Sequence, residues 1–214
     1  MIIAGMTVVL IIVAHPWGTR IAIIGGIASV PAVIIIRSVA VQLAQSSDSF
    51  RWGRIQAWLN PESESSGKGY QIMQGLYALG SGGLFGKGLG NSAQKLGAVP
   101  EAQNDMIFTI VCEELGVFGA AVLTMLFVFL LYRLFFIAQN APDLLGALIV
   151  TGIFAQVALQ VILNIAVVLN VIPATGITLP FISYGGTSIV FLMAEMGIAL
   201  SVADKIRLKD EYTL

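Results

Sequence analysis

The chain has 214 residues, of which 57% are apolar and 11% charged, and its formal net charge is −1. A soluble domain carries about 25% charged residues, so this chain cannot cover itself with polar surface, and lipid must form part of its solvent. The near-zero charge argues against nucleic acid as a partner, and the single cysteine and single histidine, Cys112 and His15, argue against an internal disulfide, a Ser-His-Asp triad and a multi-histidine metal site.

The first apolar run covers residues 1–14. As a helix it would be about 21 Å long, against about 30 Å of hydrocarbon in a bilayer. It has neither a basic n-region nor a small-residue cleavage site, so it does not read as a signal peptide. We expect a truncated helix, and hence a fragment or a shortened gene product.

Hydropathy divides the rest of the chain into four further predicted spans. The predicted fold class is all-α and integral to the membrane, a single polytopic bundle of about five helices. Its segments are a helix at 21–44, a long polar loop at 45–104, helices at 105–138 and 144–172, an irregular segment at 173–186, a helix at 187–203 and a tail at 204–214.

The basic residues predict the orientation of these spans. The tail carries Lys205, Arg207 and Lys209, and Lys and Arg favour the cytoplasmic side of a membrane. Counting back from a cytoplasmic tail places the links at Arg20 and Arg133 inside as well. The long loop is then outside.

The long loop contains two features that favour function over disorder. Residues 70–79 place apolar side chains close to one helical face, which predicts a short amphipathic helix at the membrane interface. Residues 81–90 contain five glycines, which permit a tight turn and the close approach of a ligand. The spacing is not that of a P-loop, and no strand precedes it as dinucleotide binding requires. A flexible turn between two interfacial helices is the other interpretation.

The stretch Pro-Glu-Ala-Gln-Asn-Asp at 100–105 precedes the next predicted span. Asn104 or Asp105 is a plausible N-cap, because side-chain oxygens at that position accept hydrogen bonds from the first amides of a helix. The functional alternative is a carboxylate at the membrane surface, beside the glycine-rich stretch, that takes a proton from a hydroxyl.

Ionisable residues inside a span are costly and face a partner or a cavity. Glu113 and Glu114 point about 100° apart on a helix, so we expect one to face a water-filled pocket and the other to pair with a cation such as Arg37. The alternative is that both glutamates only pair with neighbouring polar side chains and have a structural role. The same two interpretations apply to Glu195 in the last span.

Two further features lie nearer the C-terminus. Gln156, Gln160 and Asn164 share one helical face, which is typical of hydrogen bonding between helices. Residues 173–188 are rich in Pro, Gly, Ser and Thr, and irregular backbone at membrane depth is tolerated only where protein or a cavity covers it. Helix N-termini in such a place suit anionic groups such as phosphate, whereas a tight hairpin between two spans is the alternative.

Five stretches, in order and in spacing, resemble the SEDS family, which includes FtsW, RodA and SpoVE. They are Gly-Tyr-Gln at 69–71, Gly-Lys-Gly-Leu-Gly-Asn-Ser-Ala-Gln-Lys-Leu at 86–96, Pro-Glu-Ala-Gln-Asn-Asp-Met-Ile-Phe at 100–108, Glu-Glu-Leu-Gly at 113–116, and the signature formed by Pro-Ala-Thr-Gly at 173–176 with Pro-Phe-Ile-Ser-Tyr-Gly-Gly-Thr-Ser at 180–188. The resemblance covers essentially the whole chain.

The resemblance implies a ten-helix fold, of which this chain would hold about helices six to ten. It also implies a peptidoglycan glycosyltransferase that polymerises lipid II and releases undecaprenyl pyrophosphate. The family's catalytic aspartate falls on Asp105, which would deprotonate the acceptor sugar's 4-hydroxyl as that oxygen attacks the donor's anomeric carbon. The residues assigned to substrate binding are Arg54, Lys87, Lys95, Glu101, Glu114, Ser183, Gly185 and Gly186, with the three cations on the pyrophosphate and sugar side.

A divalent cation, Mg or Mn, would share that work, and no metal ligand is assigned. The implied partners are lipid II, a class B penicillin-binding transpeptidase and other divisome or elongasome membrane proteins. The implied location is the bacterial cytoplasmic membrane, and the implied roles are division, elongation or sporulation.

The sequence departs from the family pattern at Met106, where an aromatic residue is usual, and at Asn104, where Thr is common. The family's N-terminal half, which would supply part of the cavity wall, is absent, so the chain alone is expected to be inactive. Two other functions stay open. One is a lipid II transporter with polar residues lining a path through the helices, and the other is a non-catalytic scaffold for a transpeptidase.

Overall fold

The structure is a computed structural model that describes residues 2–14, 50–63, 67–94 and 102–211. Within these ranges it is built from helices and turns, which agrees with the predicted all-α class. The elements are α1 (Ile2–Ala14), α2 (Phe50–Leu59), a 3-10 turn (Pro61–Ser63), α3 (Lys68–Ser81), α4 (Ile107–Asn140), α5 (Leu144–Val168) and α6 (Gly186–Glu211). The predicted helix at 21–44 lies outside the described residues, as do Lys95 and Glu101.

Three of the described helices, α4, α5 and α6, are long and apolar enough to cross a membrane. The first apolar run forms α1, which has 13 residues and is therefore about 20 Å long. The last helix continues to Glu211, although the sequence analysis placed a tail from residue 204. Residues 204–211 contain neither glycine nor proline, so nothing in them interrupts the helix.

Helix α5 lies at the centre of the described bundle and packs against α1, α4 and α6. Val150 and Val157 on this helix have no exposed surface. Small residues allow the helices to approach closely, as is usual in membranes. A Cβ atom on Gly152 would lie 3.0 Å from Met6 Cε of α1.

Helix α4 is interrupted at Gly116, whose φ of 69° and ψ of −169° are not helical. This region of backbone conformation is essentially restricted to glycine. The break divides the helix into a first part, residues 107–115, and a longer membrane-crossing part that follows it. α3 packs against the first part.

Candidate functional site

Asp105 lies two residues before α4. The N-cap of this helix is Met106, whose side chain makes no capping hydrogen bond. The prediction that Asn104 or Asp105 is the N-cap residue is therefore wrong. Thr109, which is fully buried, stabilises the first turn by donating from its N–H (3.0 Å) and its hydroxyl (2.7 Å) to the Met106 carbonyl.

Asn164 of α5 holds the Asp105 backbone from one side. Its side chain is completely buried, and Nδ2 donates to the carbonyls of Asp105 at 2.8 Å and Ile177 at 2.7 Å. A single amide thus joins α5, the start of α4 and the irregular segment before α6. The predicted role of this polar face in hydrogen bonding is confirmed for Asn164.

The Pro-Phe-Ile-Ser-Tyr stretch holds the neighbouring backbone. Ser183 Oγ donates to the Asn104 carbonyl at 2.6 Å and accepts a hydrogen bond from Leu179 N at 2.7 Å. The Tyr184 amide donates to the Gln103 carbonyl at 2.9 Å. Ser183 therefore makes a structural contact with the backbone of Asn104, the residue that precedes Asp105.

Backbone strain accompanies these contacts. Phe181 has a φ of 64°, a left-handed conformation that costs a non-glycine residue about 1–2 kcal/mol. Pro180 before it is fully buried. Strain of this kind persists only where the surrounding structure imposes it, and it is concentrated at functional sites. Gly185 and Gly186 follow four and five residues after Phe181, and α6 begins at Gly186.

A second polar cluster surrounds Glu113, about two turns further along α4. The Glu113 side chain is fully buried, and Oε1 lies 2.7 Å from Lys87 Nζ. Ser92 Oγ donates to Oε2, and Ser81 Oγ lies 3.3 Å from Oε1. Glu113 thus has a cationic partner that comes from the glycine-rich stretch, whereas the predicted partner Arg37 lies outside the described residues. Glu114 is half-buried.

Residues 82–90 form a turn, called here the glycine-rich turn, that is docked onto the break in α4. Four backbone hydrogen bonds join the two, with Lys87 N to Glu113 O and Gly88 N to Glu114 O at 2.9 Å each, Val117 N to Gly83 O at 3.0 Å, and Phe118 N to Leu84 O at 3.1 Å. The turn therefore supplies partners for backbone groups that the break leaves exposed.

The glycines make this docking possible. A Cβ atom on Gly86 would overlap the Glu114 carbonyl, and one on Gly82 would overlap the Cys112 carbonyl. Gly86 also has a φ of 76°. The close approach that glycine permits here is an approach to α4.

An apolar cavity of about 520 Å³ lies beside the two clusters. Phe85 of the glycine-rich turn and Ile182 of the stretch before α6 contribute to its wall, together with Val111 and Phe118 of α4. Ile182 is adjacent in sequence to Ser183, which contacts the Asn104 carbonyl. Its lining suits a hydrocarbon chain.

The remaining assigned residues do not all converge on Asp105. Arg54 is on α2 and exposed, and Lys87 is engaged with Glu113. Among the described residues, no group of three or more His, Cys, Asp or Glu side chains is arranged to hold a metal ion.

Sequence reasoning missed the break at Gly116 and the partners Ser81 and Ser92 of Glu113. The sequence features that could have indicated them, a lone glycine and two serines, are weak signals. A lone glycine in an apolar helix is common in membranes, and serines in a polar loop are ordinary. Only the fold shows that these residues meet.

Comparison with known proteins gives consistent matches. A family model described as FTSW_RODA_SPOVE, cell cycle protein, matches residues 1–208. Stage V sporulation protein E of Bacillus subtilis is 49% identical over 157 residues, which cover 73% of this chain and 43% of that protein. The probable peptidoglycan glycosyltransferase FtsW of Trichlorobacter lovleyi is 37% identical over 206 residues, which cover 96% of this chain and 52% of that protein.

The chain spans about half the length of the curated relatives it matches. A solved structure described as "Structural coordination of polymerization and crosslinking by a peptidoglycan synthase complex" matches with a TM-score of 0.69 and 24% identity, over 96% of this chain and 55% of that one. This likeness shows a shared fold.

Proposed function

The chain belongs to the FtsW, RodA and SpoVE family of cell cycle proteins, and on that premise we propose that it is the C-terminal part of a peptidoglycan glycosyltransferase. The proposed substrate is lipid II, whose disaccharide is added to a growing glycan strand. Relatives named as probable peptidoglycan glycosyltransferases support this reading. The family and the three long apolar helices make the chain a multi-pass membrane protein.

The observation that carries the proposal is the immobilised Asp105 backbone. Asn164 holds the Asp105 carbonyl, and Ser183 holds the carbonyl of the preceding residue. Asp105 lies one residue before Met106, the N-cap of α4. A carboxylate on a fixed backbone meets the first requirement of a general base, which is position.

In the proposed reaction Asp105 accepts the proton of the acceptor sugar's 4-hydroxyl. That oxygen forms a bond to the donor's anomeric carbon, and the bond from that carbon to the pyrophosphate oxygen breaks. Undecaprenyl pyrophosphate leaves with the electron pair. The proposed role of Asp105 is therefore to act as a general base that makes the 4-hydroxyl of the acceptor sugar more nucleophilic.

The apolar cavity supports a lipid-linked substrate. It is lined by Phe85, Phe118 and Ile182, and Ile182 precedes Ser183, whose hydroxyl contacts the Asn104 carbonyl. In this proposal a polyprenyl chain lies in the cavity while its headgroup reaches the Asp105 carboxylate. In this proposal the loop that holds Arg54, Lys95 and Glu101 faces outward and the end of α6 faces the cytoplasm. The proposed crosslinking partner is a class B penicillin-binding transpeptidase.

The deciding experiment measures polymerisation of labelled lipid II. The chain is joined to the upstream half that its relatives carry, purified with a cognate transpeptidase, and supplied with a divalent cation. Wild type is compared with Asp105→Asn. Loss of a general base typically costs about 10²–10⁴ in rate, so the variant should form glycan at least 100-fold more slowly.

Asp204→Asn is the matched control, because Asp204 is an exposed aspartate far along α6 from its N-terminus. It should polymerise like wild type. Equal rates for wild type and Asp105→Asn would refute the role of Asp105. Folded, partner-bound protein that makes no glycan would shift the assignment to the scaffold, or to the transporter if lipid II crosses the bilayer.

A further inference from the structure

The break at Gly116 separates the first part of α4 from its membrane-crossing part. In a continuous helix the amides of Val117 and Phe118 would donate to the carbonyls four residues earlier, those of Glu113 and Glu114. Here the amides of Val117 and Phe118 donate to carbonyls of the glycine-rich turn, and the carbonyls of Glu113 and Glu114 accept from amides of the turn. The turn is therefore the hydrogen-bonded connection between the two parts of the helix.

Charge makes the connection specific. A fully buried carboxylate is costly unless a cation and hydrogen-bond donors surround it. Glu113 has the Lys87 ammonium at 2.7 Å and the hydroxyls of Ser92 and Ser81. All three partners precede α4 in the chain: Lys87 is in the glycine-rich turn, Ser81 comes just before it and Ser92 just after it. These side chains reach Glu113 only when the turn is docked. We call the Glu113, Lys87 and Ser92 set the latch.

The latch is connected to Asp105 through a short helical segment. The segment is the first part of α4, residues 107–115, and Asp105 is two residues before it. At its start, Gly75 of α3 leaves room for the Met106 side chain, where a Cβ would overlap Met106 Cε. At its end, the turn that follows α3 holds Glu113. α3 and the turn thus brace the segment at both ends.

We propose that Glu113 is a positioning residue whose latch with Lys87 and Ser92 holds the glycine-rich turn in the break of α4 and thereby fixes the place of Asp105. Released from the latch, the first part of α4 pivots at Gly116, and the carboxylate moves with it. The Lys87 ammonium serves Glu113 in this arrangement and does not bind the pyrophosphate. The inference rests on the proposed function for its kinetic readout alone.

The structural readout is hydrogen exchange of the protein in lipid nanodiscs, measured peptide by peptide. In wild type, the amides of Lys87, Gly88, Val117 and Phe118 should be protected, because each donates a backbone hydrogen bond. Glu113→Gln keeps the side-chain size and removes the charge. It should expose residues 82–90 to exchange while α5 and α6 stay protected, which shows that the protein is folded.

The kinetic readout separates positioning from substrate contact. A displacement of about 1 Å at a catalytic group can cost about 100-fold in rate, so Glu113→Gln should lower kcat by about that factor and leave KM within roughly twofold. Lys87→Gln should act in the same way, and Lys87→Arg, which keeps the cation, should restore much of the rate. Glu195→Gln is the matched control, since this carboxylate is hydrogen-bonded to Gln156 and not to the turn.

Two results would overturn the inference. One is unchanged protection of residues 82–90 in Glu113→Gln. The other is a raised KM with normal kcat in Lys87→Gln, which would place Lys87 on the substrate. If wild type makes no glycan, the proposed function fails, whereas loss of protection in Glu113→Gln still establishes the latch.

Discussion

Asn164 illustrates how one buried amide organises a site whose residues are far apart in sequence. Its Nδ2 donates to two backbone carbonyls, those of Asp105 and Ile177. Removing the hydrogen-bond donor of a buried carbonyl lowers the free energy of unfolding by about 1–3 kcal/mol. The amide therefore contributes both to stability and to the place of the Asp105 carboxylate.

Asn164→Ala removes both donors and leaves a small cavity. We expect it to lower the free energy of unfolding by about 1–3 kcal/mol and to reduce polymerisation, because the Asp105 backbone loses its support. Stability is measured by denaturant titration in detergent micelles, and rate in the lipid II assay.

Gln160→Ala is the control for that change, since Gln160 lies one turn away on the same face of α5 and is half-buried. It should change the rate little. An Asn164→Ala variant as stable and active as the Gln160→Ala variant would show that the amide does not support the site.

At the scale of elements, α4 behaves as two helices with a turn inserted between them. The apolar pattern predicts one helix over residues 105–138, and the backbone at Gly116 breaks it. The glycine-rich turn compensates by hydrogen-bonding to both sides of the break. Helix α4 and the glycine-rich turn therefore each supply hydrogen-bond partners for the other's backbone.

Two glycines of the turn provide a matched test of this docking. Gly86 and Gly90 have φ of 76° and 81°, so alanine at either costs about 1–2 kcal/mol in backbone strain. A Cβ at Gly86 would also overlap the Glu114 carbonyl, whereas no atom of the residues that the structure describes lies within 4 Å of one at Gly90.

Gly86→Ala should therefore undock the turn and lower the activity, and Gly90→Ala should do so much less. Hydrogen exchange of residues 82–90 and the polymerisation rate check this expectation. Equal effects of the two substitutions would show that backbone strain alone, and not contact with α4, decides the behaviour of the turn.

At the scale of the whole molecule, charged residues of α4 mark its depth in the bilayer. Eighteen uncharged residues, 115–132, separate Glu114 from Arg133. They are about 27 Å long as a helix, close to the roughly 30 Å of a hydrocarbon core. We therefore expect the break at Gly116 and the docked turn to lie at one edge of the hydrocarbon, with Asp105 in the headgroup region beyond it.

Spin labels on exposed positions of α4 test this depth. With Cys112 replaced by serine, labels are attached at Phe118→Cys, Met125→Cys and Tyr132→Cys, all three at exposed residues. Accessibility to oxygen relative to a polar nickel complex should be highest at Met125, because it is nearest the bilayer centre. A maximum at Phe118 would place the break deep in the membrane and contradict the assignment.

The amino-acid sequence by itself determined the membrane class and the approximate positions of the three long apolar helices that the structure describes, because these follow from composition and hydropathy. Local pattern misled at Asn104 and Asp105, where residue type favoured an N-cap, whereas the N-cap of α4 is Met106. The tertiary structure alone decided which residues meet. Asn164 and Asp105 are 59 positions apart, Ser183 and Asn104 are 79 apart, and Lys87 and Glu113 are 26 apart. A single sequence reports local periodicity, whereas these contacts depend on how helices pack and where a backbone breaks, so only the fold could bring them together.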